Sequence, residues 1–186
     1  MKRVSLIFLI FLFITGCKNS TDKMDQIMEF RTEILQAPSY TFTAEITADY
    51  AERLCTFKMR CEGDQTGCIS FEIVSPESIA GITGMLSADE GKLTFDDHVL
   101  LFSLMADGRI SPVSAPWVMM RALRSGYING CGEEGGELLV HIDDTYEENA
   151  LQVIIRVDSN DRPTSAEIFN MGSRILTILV EDFLIL

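Results

Sequence analysis

The sequence predicts an α+β domain, in which helices cross one face of a long antiparallel sheet. Apolar residues first recur at helical spacing, over residues 24–36. They then alternate with polar residues along most of the chain, which is the period of half-buried strands. A middle segment, residues 98–126, lacks this alternation and contains a second predicted helix. We predict about eight to ten strands, and a sheet of that length curls or closes on itself.

The N-terminus has the pattern of a secretory signal peptide. Lys2 and Arg3 precede an apolar run, residues 4–14, that is too short to span a membrane as a helix. The run ends in Ile14-Thr15-Gly16-Cys17, which resembles the lipobox of bacterial lipoproteins. The resemblance implies removal of residues 1–16 and attachment of diacylglycerol and palmitate to Cys17. The alternative is an ordinary signal peptide in which the cysteine occurs by chance.

Lipidation would hold the mature protein on the extracytoplasmic face of a membrane, in a cell with or without an outer membrane. Residues 17–23 would form the lipidated cysteine and a polar tether, and residues 24–186 a single domain. The full chain has 28 acidic and 15 basic residues, a net charge of −13. Loss of Lys2 and Arg3 leaves 13 basic residues and a net charge of −15. This charge argues against binding to nucleic acid or to anionic lipid head groups.

The elements of the first half are predicted from these periods. The first helix covers residues 24–36, with Asp22 as its N-cap and Pro38 beyond its end. The antiparallel strands that follow are predicted at residues 41–49, 54–62, 69–73, 85–88 and 92–95.

The second half begins with a helix and returns to strands. Pro116 stands near the start of the helix predicted at residues 116–125, and residues 130–136 are predicted as a Gly-rich acidic loop. The last strand is apolar on both faces, so we expect cover on both sides of it. The predicted strands are residues 137–143, 151–158, 164–170 and 174–184.

The order of these elements resembles the LolA/LolB-like fold of lipoprotein carriers. The resemblance implies a half-open β-barrel with helices across its concave face, around a cavity that holds the acyl chains of lipoproteins in the carriers. The segments that carry it are the first helix, the first strand pair, residues 69–77 with Gly81-Ile82, residues 92–96, Arg162-Pro163 with Glu167-Ile168, and residues 180–183.

The lipidated cysteine makes the outer-membrane receptor of that family a nearer analogue than its soluble carrier. Similar lipidated proteins also occur in Gram-positive spore formers, where one member is an accessory to a cortex-remodelling amidase. The resemblance therefore implies either an acyl-chain carrier or a partner of an envelope protein.

The candidate ligand-binding residues are apolar and lie on one predicted sheet face and on the second helix. Methionine side chains adapt to irregular apolar ligands, which suits such a cavity. The alternative is a packed core without a cavity. The candidates are Phe42, Ile46, Phe57, Met59, Phe71 and Phe95 on the strands, and Trp117, Met119, Met120 and Leu123 on the helix.

No residue pattern points to catalysis, a metal or a cofactor. His98 and His141 are the only histidines, and neither lies in a metal-binding or nucleophile motif. Residues 130–135 match the spacing GxGxxG, but they follow a helix rather than a strand, and Glu133 and Glu134 would repel phosphate. We therefore expect a protein that is not an enzyme.

Four cysteines remain after Cys17. An even number outside the cytoplasm permits disulfides. Cys61 and Cys68 flank a predicted turn, but their strand phases place them on opposite faces, so a bridge between them needs a bulge. Free thiols are the other possibility.

Two functions fit these observations. The first is a non-catalytic lipoprotein that binds acyl chains of a lipid or lipoprotein within the half-barrel. The second is a protein–protein module that holds an envelope enzyme or sensor, such as a spore-cortex amidase, at the membrane. An open apolar cavity would favour the first function, and a filled interior would favour the second.

Overall fold

The computed structural model describes residues 18–49, 54–88, 90–95, 98–106, 109–147 and 150–186. The predicted signal peptide, its cleavage site after Gly16 and the lipidation site at Cys17 lie outside these residues. The described chain forms an open antiparallel sheet of eleven strands with two α-helices across its concave face. The predicted fold class is confirmed.

The two helices are α1, Lys18–Gln36, and α2, Ala115–Ser125. Short 3₁₀ turns occupy Glu77–Ile79 and Pro112–Ser114. The strands before α2 are β1 Ser39–Asp49, β2 Leu54–Asp64, β3 Ile69–Ser75, β4 Thr83–Leu86, β5 Gly91–Phe95, β6 His98–Phe102, β7 Met105–Ala106 and β8 Arg109–Ile110. Those after it are β9 Tyr127–Glu134, β10 Glu137–Asp143, β11 Gln152–Val157, β12 Pro163–Asn170 and β13 Ser173–Ile185.

The strand order of the main sheet is β6-β5-β4-β3-β2-β1-β13-β12-β11-β10-β9. The chain starts in the middle of the sheet, runs outward to the β6 edge, crosses through α2 to the β9 edge and returns to pair β13 with β1. Strands β7 and β8 form a separate hairpin. The two edges of the sheet are therefore β6 and β9.

Side-chain alternation decides which face each strand buries. Along β1, from Tyr40 to Ala48, every second residue is buried, and β2 pairs with it from Ser39↔Asp64 to Asp49↔Leu54 without a register shift. In β13 the alternation is interrupted at Asp182, whose φ is +54°, next to a register shift against β1. This irregularity leaves Phe183 buried against Phe30 of α1, with ring centroids 6.3 Å apart.

The last strand is covered on one face only, which corrects the prediction of cover on both sides. Leu176 and Ile178 are buried on the concave face, whereas Leu179 is 49% exposed on the other. Apolar residues on both faces of β13 would allow both faces to be buried, but the helices of this chain cover only the concave face.

Helix α1 begins at Lys18 rather than at Met24, so Asp22 lies within the helix and does not cap it. The first turns carry polar side chains without apolar periodicity, and the predicted tether is therefore part of the helix. Further along, Ile27, Phe30 and Ile34 point into the core, as a helical spacing of three and four residues requires.

Strands β6 and β9 are the main elements that the sequence prediction missed. Strand β6 has no polar–apolar alternation, and β9 contains Gly130 and Gly132 within the segment predicted as a loop. Both are edge strands, which pair on one side only, so their sequences carry a weaker strand pattern.

Candidate functional site

Nine of the ten candidate ligand-binding residues lie together in the core between the sheet and α2. None of the nine is more than 5% exposed, and Met59, Met119 and Ile46 are completely buried. A side chain that lined an empty cavity would keep surface accessible to a small molecule, whether or not the cavity opened to solvent. The low exposure therefore means that these residues contact other protein atoms over nearly all of their surface. Phe95 is the exception, because it lies on β5 and is 53% exposed.

Helix α2 is fixed to α1 by a side chain that sequence reasoning did not single out. The Arg31 guanidinium donates to the carbonyl oxygens of Leu123 at 2.6 Å, Gly126 at 2.9 Å and Ala122 at 3.2 Å. These carbonyls stand at the C-terminal end of α2, where backbone acceptors lack helical partners and a cation is favoured. Burial lowers the pKa of Arg31.

The other side of α2 is fixed to the β2–β3 turn, residues 64–68. Trp117 Nε1 donates to the Gly67 carbonyl at 3.1 Å, and Arg124 Nη2 donates to the Gln65 carbonyl at 2.7 Å. Arg121 forms an ion pair of 2.6 Å with Asp144, whose side chain is 8% exposed. Helix α2 is thus held by polar contacts at both sides as well as by its buried residues.

An opening of about 520 Å³ lies where α2, the β2–β3 turn and the end of α1 meet. Its lining combines apolar groups with two arginines. Of the ten candidate residues, only Trp117 and Met120 line it. The lining is Leu35, Thr66, Gly67, Cys68, Ser87, Ala88, Trp117, Met120, Arg121, Arg124 and Ser125.

The cysteines in the described part of the chain are free thiols, so the bridge anticipated between Cys61 and Cys68 is not formed. Cys61 pairs across the strands with Phe71, whereas Cys68 lies opposite Asp64, which donates its N–H to the Cys68 carbonyl. The three residues of strand from Cys61 to Asp64 span about 10 Å, which exceeds the roughly 7 Å that a disulfide allows between Cα atoms. Burial raises the pKa of the Cys61 thiol.

Tyr40 is a buried polar residue next to this thiol. Its ring covers Gly63, where a Cβ atom would lie 2.1 Å from the ring. Its hydroxyl oxygen is buried and has no hydrogen-bond partner among the described residues. Burial raises the pKa of Tyr40 to about 12.

The GxGxxG segment, predicted as a loop, is part of strand β9. Glu133 pairs with Lys23 of α1 at 2.8 Å, and Glu134 pairs with Arg156 of β11. The two glutamates therefore have ion-pair partners within the protein, and the segment gives no indication of a phosphate-binding site. Within the described residues, no group of three or more His, Cys, Asp or Glu side chains could hold a metal ion, and no helix is long and apolar enough to cross a membrane.

Exposed apolar residues collect at the opposite edge of the sheet. Phe95, Val99, Leu100 and Leu101 of the β5–β6 hairpin are 53–61% exposed. We call these four residues the β6 patch. Single exposed apolar residues are common on protein surfaces, but a contiguous group is typical of a contact site.

An open antiparallel sheet with helices packed into its concave face is the LolA-like architecture, and the predicted LolA-like domain is confirmed. A solved structure of an uncharacterized conserved protein from Thermus thermophilus has a TM-score of 0.50 to this chain at 11% identity, over 88% of this chain and 87% of that one. At this identity the likeness is one of fold.

Two further solved structures are similar at lower TM-scores. A LolA superfamily protein from Nitrosomonas europaea has a TM-score of 0.47 at 12% identity, over 87% of this chain and 93% of that one. A chain of the complex between the CwlD amidase from Clostridioides difficile and the GerS lipoprotein has a TM-score of 0.44 at 14% identity, over 84% and 92%. No protein-family model and no curated protein matches the sequence.

Proposed function

We propose that this protein is a lipid-anchored, extracytoplasmic docking module that binds an envelope protein through its outer surface and catalyses no reaction. The observation that carries this proposal is the filled interior. The residues expected to line a ligand cavity pack against one another and are at most 5% exposed, Phe95 excepted. Binding by a protein with a filled core uses its surface.

The exposed face of α1 is the surface that we assign to the partner. Met28 and Leu35 are 44% and 43% exposed there, beside the carboxylates of Asp25 and Glu29. Neither carboxylate forms an ion pair with the part of the chain that the structure describes. Like charges four residues apart on a helix are slightly destabilising, so a contribution to binding accounts for them better than a contribution to stability.

A partner for this surface has apolar side chains surrounded by basic ones. The net charge of the mature chain, −15 after loss of Lys2 and Arg3, would steer such a partner toward it. The proposed anchor supports the same arrangement, because α1 begins at Lys18, directly after Cys17. The partner would therefore be held close to the membrane.

The test is chemical crosslinking of the tagged full chain in envelope membranes of its own host, followed by mass spectrometry of the adducts. We expect one dominant adduct with a different protein, whose yield falls as salt rises because screening weakens exposed charge pairs. The double variant Asp25→Asn with Glu29→Gln is expected to lose most of the adduct. The matched control is Glu77→Gln with Glu147→Gln, which makes the same change in charge at exposed positions elsewhere. Equal capture by the two variants would contradict the assigned surface.

A second candidate function is the binding of an acyl chain, and the opening beside Trp117 is the observation that favours it. The lining includes the contact between Trp117 of α2 and Gly67 of the β2–β3 turn. Displacement of α2 would therefore extend the opening into the core. We expect any acyl chain bound there to be excluded by Ala88→Trp, which fills the opening. Displaceable binding of a fluorescent fatty acid that Ala88→Trp abolishes would support this function over the docking module.

A further inference from the structure

Among the described residues, nothing protects the β6 edge of the sheet in the way that the β9 edge is protected. Edge strands of natural proteins carry charges, bulges or cover that prevent pairing with another chain. At the β9 edge, Glu133 and Glu134 form ion pairs, and α1 lies alongside. Strand β6, His98–Phe102, contains no acidic residue, lysine or arginine, and it pairs with β5 without a register shift.

Both faces of β6 are apolar and exposed. Leu100 lies on the concave face, in the row of Leu93, whereas Val99 and Leu101 lie on the convex face, and all three are 55–61% exposed. In an antiparallel pair, every second residue directs its N–H and C=O away from the neighbouring strand. An occupant of this edge therefore has to be a strand with apolar side chains on both of its faces.

A second copy of β6 satisfies this requirement. In an antiparallel pair centred on Leu100, that residue faces Leu100 of the second copy, and Val99 faces Leu101. His98 then faces Phe102. Apolar residues meet on both faces, and cross-strand apolar pairs of this kind stabilise a sheet.

The charge distribution also permits this pairing. A chain with a net charge of −13 repels its own copies over most of its surface. The pairing above sets no carboxylate opposite another along β6, because residues 98–102 carry none. In the sequence, Asp96-Asp97 joins β5 to β6, which argues against a membrane as the occupant, because a bilayer that took up these strands would have to take up two carboxylates as well.

We propose that two copies of this protein associate through antiparallel pairing of their β6 strands, which joins their sheets into one. The twofold axis of such a pair is perpendicular to the sheet, so both α1 helices lie on the same side. Two lipid anchors, each one residue before α1, could then enter the same bilayer. A five-residue seam is short, and small interfaces are weak, so we expect a dissociation constant in the micromolar range and stronger association of anchored copies.

The test is disulfide crosslinking of the full chain in membranes, in a background where Cys55, Cys68 and Cys131 are replaced by serine. Facing residues of an antiparallel pair have Cα atoms about 4.5–5.5 Å apart, within the range of a disulfide. We expect Leu100→Cys to form a covalent homodimer on oxidation. Leu101 does not face Leu101 of the second copy, so Leu101→Cys is expected to form several-fold less covalent homodimer. Leu54 is 72% exposed on β2, and Leu54→Cys is expected to form no homodimer above background.

Three results would overturn the proposal. The first is a Leu100→Cys chain whose thiol reacts with a soluble maleimide but which forms no homodimer. The second is an equal yield from Leu54→Cys, which would show random collision. The third is an adduct of Leu100→Cys with a different protein, which would assign the edge to that protein. Because the proposed partner contacts α1, failure of the dimer leaves the docking function intact, and the α1 variants are expected to dimerise normally.

A second measurement uses two full chains with different affinity tags, solubilised from membranes in mild detergent. We expect them to copurify, and we expect Leu100→Lys to reduce copurification at least fivefold, because each seam then contains two facing lysines. Leu54→Lys is the control for a new surface charge. Copurification that is insensitive to Leu100→Lys would contradict the pairing.

Discussion

One row of residues runs across the concave face from the centre of the sheet to its β6 edge, and its two ends have opposite surroundings. Phe42, Cys61 and Phe71 are at most 4% exposed, because α1 and α2 cover this part of the sheet. The same row continues to Leu100, which is 61% exposed. The strand period is the same at both ends. Alternation therefore shows which face of a strand is apolar, whereas the helices determine whether that face is buried.

The largest expected difference between the two ends is in stability. Phe42→Ala, which empties a site in the covered centre, is expected to cost about 3–5 kcal/mol of unfolding free energy. Phe95→Ala, at the uncovered end, is expected to change it by less than about 0.5 kcal/mol. Urea unfolding followed by the fluorescence of Trp117, the only tryptophan, measures both. Similar losses for the two variants would show that the hairpin is part of the same core.

Tyr40, which is buried in the covered centre of the sheet, makes the stability of the protein depend on alkaline pH. Its pKa is raised from 10.0 to about 12 by burial, so the unfolded chain loses this proton at lower pH than the folded chain. Tyr40 should therefore contribute a fall in stability of about 2–3 kcal/mol as pH rises from 10 to 12.

The control for this loss is Tyr40→Phe, which should remove that part of the slope and, because it removes a buried hydroxyl without a partner, should not destabilise the protein at pH 7. Tyr146→Phe, at an 89% exposed position, is the control for the loss of a tyrosine hydroxyl. A wild-type slope in Tyr40→Phe would show that other groups cause the alkaline loss.

Substitution of Arg31 measures how much the packing of the helices over the centre of the sheet depends on polar contacts. Arg31→Met keeps much of the side-chain volume but removes three hydrogen bonds to the end of α2. We expect a loss of about 1–3 kcal/mol and faster hydrogen exchange of the last turn of α2. Arg60→Met, which removes an exposed ion pair with Glu72 on the convex face, should cost less than about 1 kcal/mol.

The smallest effect is expected at the β6 patch itself. Leu100→Lys should change the stability of the monomer by less than about 0.5 kcal/mol, because the side chain is already in water. Leu86→Ala, at a completely buried leucine of β4, should cost about 2–5 kcal/mol. Thermal unfolding in dilute solution, where copies are apart, compares them. A large loss for Leu100→Lys would mean that another part of the chain covers the patch.

Regular alternation allowed much of this fold to be predicted. Strands β1, β2 and β10 through β12 alternate clearly, and the structure has each of them, and β13, within a few residues of the predicted bounds. Strand β6 was missed because its sequence, His-Val-Leu-Leu-Phe, has no polar face. Strand β9 was missed because its glycines and glutamates are typical of a loop, and its pairing depends on β10 and on two ion pairs with distant residues.

For the candidate site, less could be predicted from the sequence than for the fold. The sequence grouped Phe42, Met59 and Trp117 as apolar residues of one interior, and all three are buried, but it could not distinguish a lined cavity from a packed core. That difference depends on the distance between α2 and the sheet. The polar contacts that hold α2 in place join Arg31 of α1 and Arg124 of α2 to backbone carbonyls. Every residue has a carbonyl, so the sequence does not indicate which ones are bound.

The most direct test of the filled interior is energy transfer from Trp117 to a fluorescent fatty acid, titrated into the domain from Lys18 to Leu186. Trp117 is buried within the group of candidate residues, so an acyl chain that entered the core would come within a few ångströms of its ring. We predict no saturable transfer for the native sequence. Saturable and displaceable transfer at one probe per chain in the native protein would contradict the account and place an acyl-binding site near Trp117.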